Sequence, residues 1–246
     1  MGLMSAEIAT DRIYLRDAQC RAFDAAAVAV EDGGRVALDT TAFYATGGGQ
    51  PHDTGTLTWE GGSAAVVDVR GHGPVVWHTL EGNVPATGAA VRGTLDWERR
   101  YELMRTHTAL HILCGVIWNR WGAAVTGGNM EPLRARMDFE FGPLPEGFGA
   151  EVAELVNAEI AADRPVEVSF WSRAEALTDA DLIRTKVNLI PTSVTEIRVV
   201  DIVGLDRQAD GGTHVASTAE VGGFEVTKTE SKGKANKRLR IALSDA

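Results

Sequence analysis

Apolar positions in the first 95 residues fall in short alternating runs: "AFDAAAVAV", "RVALDT", "GTLTW", "AAVVDV", "VVWHTL" and "AAVRGTL". Glycine-bearing turns ("EDGG", "WEGG", "GHG", "EGN") separate them. Regular strands with such punctuation predict a small β-barrel or sandwich. At Asp96 the period changes. "DWERRYELMRTHTALHILCGVIWNRWG" reads as a helix of about six turns, with Asp96 as N-cap and Gly122 as its stop. Met104, His107, Thr108, His111, Gly115 and Trp118 recur at steps of three and four and mark its inward stripe. Beyond it the pattern predicts a strand "RARMDFEF", a helix "EVAELVNAEIAAD" closed by Pro165, a strand "VEVSFW" and a short helix from Ala174 to Leu182. Two or three further strands, "VTEIRVVDIV", "FEVTKTE" and "KRLRIAL", complete an α+β fold. The expected organisation is a barrel domain over residues 1–95, carrying a glycine-rich motif, and a two-layer α+β domain over 96–246.

Composition narrows the class. No apolar run approaches the roughly 18 residues of a membrane span, and the first residues lack a basic end followed by an apolar stretch. Cys20 and Cys114 are the only cysteines, so no disulfide framework is expected and the cytoplasm is the default location. The net charge of -10 argues against a protein that coats nucleic acid non-specifically. "VTKTESKGKANKRLR", Val226 to Arg240, departs from that balance with six basic residues against Glu230. It is either a solvated hairpin or a local phosphate contact.

Candidate chemistry centres on histidine. His107 and His111 stand four apart, so their imidazoles leave one helix face a turn apart, within reach of one metal ion. Such a pair is also common as two ordinary core residues, but buried imidazoles need partners and a shared cation supplies one. In "QADGGTHVAST", His214 is the natural third ligand, and Gly211 and Gly212 allow a tight turn that brings Asp210 to the same point. The bland reading of that stretch is a polar loop in which Asp210 caps the turn amides. Cys114, near the same face, reads as packing rather than as a ligand. His52, His72 and His78 lack metal spacing and read as surface or internally satisfied residues.

"DWERRYELMRTHTALHIL", "DGGTHV" and "ESKGKANKRLRIAL" closely resemble the alanyl-tRNA editing domain. With "TAFYATGGGQPHDTG" near the front, nearly the whole chain resembles the free-standing, AlaX-type trans-editing family. The resemblance implies a deacylase that uses one zinc ion to hydrolyse tRNA(Ala) mischarged with serine and sometimes glycine. It maps the metal ligands to His107, His111, Asp210 and His214, and the glycine-rich motif beside the editing site to Gly47, Gly48, Gly49 and Gln50. It also implies correction without charging, because no aminoacylation domain is present. One residue departs from the family: Asp210 stands where a cysteine is usual. A carboxylate also brings one negative charge to zinc, so it either replaces the thiolate or leaves three histidines and water as the ligands.

Other assignments follow from local chemistry and the resemblance together. In "WGAAVTGGN", Thr126 is either the reader of the serine hydroxyl or a strand residue beside the pocket. Asp138, alternating with Met137 and Phe139, is either a catalytic carboxylate in the pocket or an exposed one. Thr108 either faces inward or back-bonds to its own helix. Arg99, Arg100, Arg105, Lys232, Lys234, Lys237 and Arg238 are candidate phosphate contacts. "GGGQ" lacks the Lys-Ser/Thr ending of a P-loop, so ATP is not implied. Zinc either activates water or holds the substrate's amino group, and no covalent triad is evident. Two other classes stay open: a metal-free tRNA-binding module and a metal hydrolase of a small ester or amide. Oligomeric state is open.

Overall fold

The computed structural model describes residues 8–179, 182, 194–233 and 235–245. Two compact units divide the chain: Met1–Gly47 with Pro51–Arg100, and Gly48–Gln50 with Tyr101–Ala246. The tripeptide Gly48–Gln50 thus packs with the second unit although its neighbours in sequence belong to the first.

The first unit is a closed six-stranded barrel. Its strands are β2 (Ala22–Glu31), β3 (Arg35–Leu38), β5 (Gly55–Trp59), β6 (Gly62–His72), β7 (Val75–Glu81) and β8 (Ala90–Leu95), in the order β2-β3-β7-β6-β5-β8. Two-residue strands β1 (Asp11–Arg12) and β4 (Thr40–Thr41) pair in parallel outside it. Alternation along β8 buries Val91, Gly93 and Leu95 and exposes Ala90, Arg92 and Thr94, as a strand with one face on a core requires. Phe23, Val36, Leu38, Phe43, Leu57, Val69 and Val76 fill the interior. Closure removes free sheet edges, the usual liability of small β folds. Arg100, fully buried, pairs with Asp53 and donates to the Ala42 and Ala18 carbonyls, so it serves this fold and is not presented to phosphate. Arg99 donates to the His52 carbonyl. His78, also buried, sits between Thr41 Oγ1 at 2.8 Å and the Val36 carbonyl at 3.2 Å, and burial pushes its pKa down to about 4.

Helix α1 (Trp97–Trp121) runs between the predicted caps. Asp96 accepts from the Arg99 amide at 3.2 Å, and Gly122, at φ +65°, donates its amide to the Trp118 carbonyl. Its burial departs from the expected stripe: every residue from Leu103 to Ile117 is buried, so the helix is central rather than amphipathic. Around it in the second unit are two sheets. One has the order β14-β15-β10-β9, from β9 (Val125–Glu131), β10 (Arg134–Glu140), β14 (Phe224–Ser231) and β15 (Asn236–Leu243). The other has the order β11-β12-β13, from β11 (Val166–Ser172), β12 (Glu196–Ile202) and β13 (Asp206–Ala209). Helix α2 (Phe148–Ala161) starts three residues before the predicted one and buries Val152, Val156 and Ile160, one stripe at steps of four. Helix α3 (Arg173–Ala176) opens on a capping box between Ser172 and Glu175. Among the described residues no helix is long and apolar enough to cross a membrane.

The sequence pattern missed β9 and β13. "WGAAVTGGN" reads as a loop, yet from Val125 onward the chain pairs with β10, and the Met130 amide donates to the Gly49 carbonyl. Strand β13 is too short and polar to signal itself; it exists because β12 offers an edge.

Candidate metal centre

Four side chains of the second unit converge: His107 and His111 from α1, and Asp210 and His214 from the loop after β13. One ligand atom from each lies within 4.8 Å of the others. Ring centroids are 5.2 Å apart for His107 and His111, 4.4 Å for His107 and His214, and 4.6 Å for His111 and His214. All three rings are buried.

Each imidazole faces a polar group at Nδ1, although the contact of His111 is an ion-pair approach and not a formed hydrogen bond. His107 Nδ1 lies 3.0 Å from Gln50 Oε1, His111 Nδ1 lies 3.3 Å from Asp206 Oδ2, and His214 Nδ1 lies 3.2 Å from Thr108 Oγ1. Gln50 Oε1 also accepts from the Thr213 amide at 3.1 Å, and Gln50 Nε2 donates to Thr213 Oγ1 at 2.9 Å, so the amide orientation is set by its network. Gln50 Oε1 only accepts, so His107 carries the proton on Nδ1 and presents the Nε2 lone pair, and a carboxylate beside His111 Nδ1 favours the same tautomer there. Thr108 Oγ1 accepts from the Val215 amide at 3.3 Å and takes either role toward His214. The back-bond expected of Thr108 belongs instead to Thr106, which donates to the Glu102 carbonyl at 2.7 Å.

The Asp210 carboxylate faces His214 Nε2 at 3.1 Å and His107 Nε2 at 3.7 Å. Its Oδ2 accepts from the Gly212 amide at 2.6 Å, as the polar-turn reading expects, while the carboxylate still faces the histidines. Arg198 Nη1 lies 3.7 Å from Asp210 Oδ2 and donates to the Asp210 carbonyl at 2.9 Å. Neither Gly211 nor Gly212 has a left-handed φ, contrary to the expected strained turn. Gly212 is required for a different reason: a Cβ there would lie 2.2 Å from His107 Cε1 and 2.8 Å from Gln50 Oε1. The loop backbone packs directly on the ring.

Electrostatics separates the four groups. Burial pushes the His107 pKa down to about 4, against the pull of Asp210. Burial and the neighbouring His107 push His214 well below the usual range. For His111 burial also pushes down, but the adjacent Asp206 carboxylate and the charge of Asp210 outweigh it and raise its pKa. Burial likewise opposes ionisation of Asp210, yet the facing histidines hold its carboxyl well below the usual range. The four can present three imidazole nitrogens and one carboxylate to a common centre, with the histidines buried and the Asp210 side chain 16% exposed. Ligand atoms about 2 Å from a zinc-sized ion stand a little over 3 Å from one another, which this cluster approaches. The residues fit a single divalent cation.

Of the remaining predicted site residues Gln50 joins the cluster through His107, and the others are engaged as follows. Thr126, exposed on β9, donates to Asn236 Oδ1 at 3.1 Å. Asp138 is clamped by Arg238 through two bonds of 2.7 Å, with Arg136 at 3.4 Å, and Arg238 holds its carboxyl below the usual range. Both engage β15. Arg105 is buried, and its guanidinium donates to the Val221 and Ser244 carbonyls; it fixes the C-terminal strand region and is not presented to RNA. Lys237 is buried and donates to Ser231 Oγ and the Gly233 carbonyl, shaping the hairpin turn, while Lys232 is exposed near its tip. Lys234 lies outside the described residues. In the glycine-rich motif, Gly47 accepts from the Tyr44 hydroxyl at 3.0 Å, Gly48 and Gly49 are exposed at φ +56° and +88°, and Gln50 is fully buried. Sequence reasoning missed Asp206 and the buried role of Gln50. A hint existed for Asp206 in its spacing four residues before Asp210.

Comparison with known proteins places residues 9–99 in the family "tRNA synthetases class II (A)" and residues 197–240 in "Threonyl and Alanyl tRNA synthetase second additional domain". The chain is 36% identical over 244 residues to the alanyl-tRNA editing protein AlaX-M of Methanosarcina acetivorans, covering 96% of this chain and 100% of that one. It is 37% identical over 233 residues to AlaX-M of Saccharolobus solfataricus, covering 94% and 97%. It is also 40% identical over 229 residues to the alanine–tRNA ligase of Pyrobaculum arsenaticum, covering 90% of this chain but 25% of the ligase.

Proposed function

This chain belongs to the AlaX family of alanyl-tRNA editing proteins, and from that premise we propose that it is a zinc-dependent aminoacyl-tRNA deacylase acting in trans on tRNA(Ala) charged with serine or glycine. The observation that carries the reading is the convergence of three buried histidines, His107, His111 and His214, with the part-buried Asp210 on one point. Zinc bound there supplies a Lewis acid that polarises the ester carbonyl, activates water or holds the amino group of the substrate.

The chain's own residues do the rest. Gln50 holds the ring of His107 and the Thr213 segment together, and Asp210, bonded to the Gly212 amide, is presented in one orientation. Thr126 is the proposed reader of the serine hydroxyl. Its own proton goes to Asn236, so an Oγ1 lone pair remains for an incoming donor. A pocket that spends a polar group on that hydroxyl rejects alanine, on the order of ten-thousandfold in favourable cases. Asp138, ionised and clamped by Arg238, is a poor proton acceptor; its part is to hold Arg238 in place. The β14–β15 hairpin is the proposed RNA contact, with Lys232 exposed for phosphate and Lys237 and Arg238 maintaining its shape.

The test is hydrolysis of serine- and alanine-charged tRNA(Ala) by zinc-quantified wild type and by Asp210→Ala. About one zinc per chain with selective hydrolysis of the serine ester is the expected result, with both reduced in the variant. Wild-type protein that takes up no zinc and cleaves neither ester overturns the proposal.

A further inference from the structure

Resting on the metal reading above, we propose that Asp206 is a positioning residue of the centre, holding His111 with Nε2 toward the ion and adding a second negative charge beside the Asp210 carboxylate, which Arg198 offsets.

The geometry is specific. Asp206 opens β13, four residues before Asp210, and its side chain has no exposed surface. Oδ2 lies 3.3 Å from His111 Nδ1 and accepts from Gln208 Nε2 at 2.7 Å. The approach to α1 depends on Gly115, one turn beyond His111: a Cβ there would lie 2.9 Å from the Asp206 Cβ and 3.2 Å from the Leu205 carbonyl oxygen. Hairpin and helix are therefore fitted to each other at this point, and the carboxylate lies directly behind a ligand ring.

Charge explains why the group is a carboxylate. The three histidines bind a cation as neutral groups. Behind His107 and His214 stand an amide and a hydroxyl, both neutral. Asp210 is anionic, but Arg198 lies 3.7 Å from its Oδ2, so that pair contributes little net charge. A dication among rings as buried as these is costly without an anion nearby, and Asp206 is the further anion in contact with the cluster. A carboxylate behind the ring also makes Nε2 a stronger donor than an amide or hydroxyl does. Its competing role, fixing the hairpin through Gln208, requires no metal and predicts a different outcome.

Zinc affinity of wild type, Asp206→Asn and Asp206→Ala, read by competition with a chromophoric chelator, separates the two. Asp206→Asn keeps the shape and an acceptor but loses the charge. With the metal-free variants folded by circular dichroism, the expected result is affinity weakened about ten- to hundredfold in both. A folded Asp206→Asn that binds zinc as tightly as wild type overturns the proposal and leaves the deacylase reading standing. Wild type that binds no zinc defeats both. Should the variants fail to fold, nitrogen NMR of ring-labelled, zinc-loaded wild type decides: His111 protonated at Nδ1 supports the proposal, and a lone pair there refutes it.

Discussion

A Cβ added at Gly212 would lie 2.2 Å from His107 Cε1, whereas one added at Gly211 meets nothing within 4 Å. Gly212→Ala is therefore expected to displace the ring of His107 and lower zinc uptake at least tenfold, while Gly211→Ala keeps the wild-type stoichiometry. Equal zinc content in the two purified variants would contradict this account. In the barrel, His78 provides a pH-dependent term of its own. Its folded pKa of about 4 is below the usual 6.5, so its contribution is complete above pH 6.5 and is lost as pH falls from there through 4. The displacement corresponds to about 3 kcal/mol. Urea unfolding at pH 7.5 and 4.5 should show a larger acid loss in wild type than in His78→Gln, which keeps hydrogen-bonding groups without the titration. Parallel losses would refute it.

At the scale of elements, α1 is set at both ends by residues visible in the sequence. Asp96 caps the Arg99 amide and also accepts from Thr54 at 3.2 Å. Asp96→Ala should cost about 1 kcal/mol in urea unfolding, typical of a lost N-cap; an unchanged midpoint would show the cap to be dispensable. The helix ends were legible because capping is local chemistry. The burial of α1 was not, since a helix covered on all sides and one with a single apolar stripe share the same local signals. Strands β9 and β13 escaped detection for a related reason: "TGGN" and "DRQA" have little strand character of their own, and pairing with β10 and β12 decides their state.

For the molecule as a whole, the proposed metal binding would be coupled to folding, because His107 and His214 are 107 positions apart and the four clustered side chains meet only in the folded chain. Zinc at a hundred times its dissociation constant should add about 2.7 kcal/mol to stability. The melting temperature is thus expected to rise on zinc addition and fall with a chelator in wild type. In Asp210→Ala the response should be smaller, and an equal response would place the bound zinc elsewhere. The RNA reading belongs to this scale too. Lys232→Ala should weaken tRNA binding and flatten its salt dependence by about one unit of slope, as expected for one lost phosphate contact.

By itself the sequence determined the periods that make a barrel and an α+β unit, the caps of α1, and the identity of the four clustered side chains, because strand alternation, helix spacing and capping act over a few residues. The family likeness also lies in short motifs. Only the tertiary structure decided what stands behind those side chains. Gln50 reaches His107 across 57 positions, Asp206 meets His111 where Gly115 leaves room, and Arg105 and Arg100 turn inward to bond backbone carbonyls. Such partnerships depend on which buried polar groups packing leaves to be satisfied, and no local pattern encodes that.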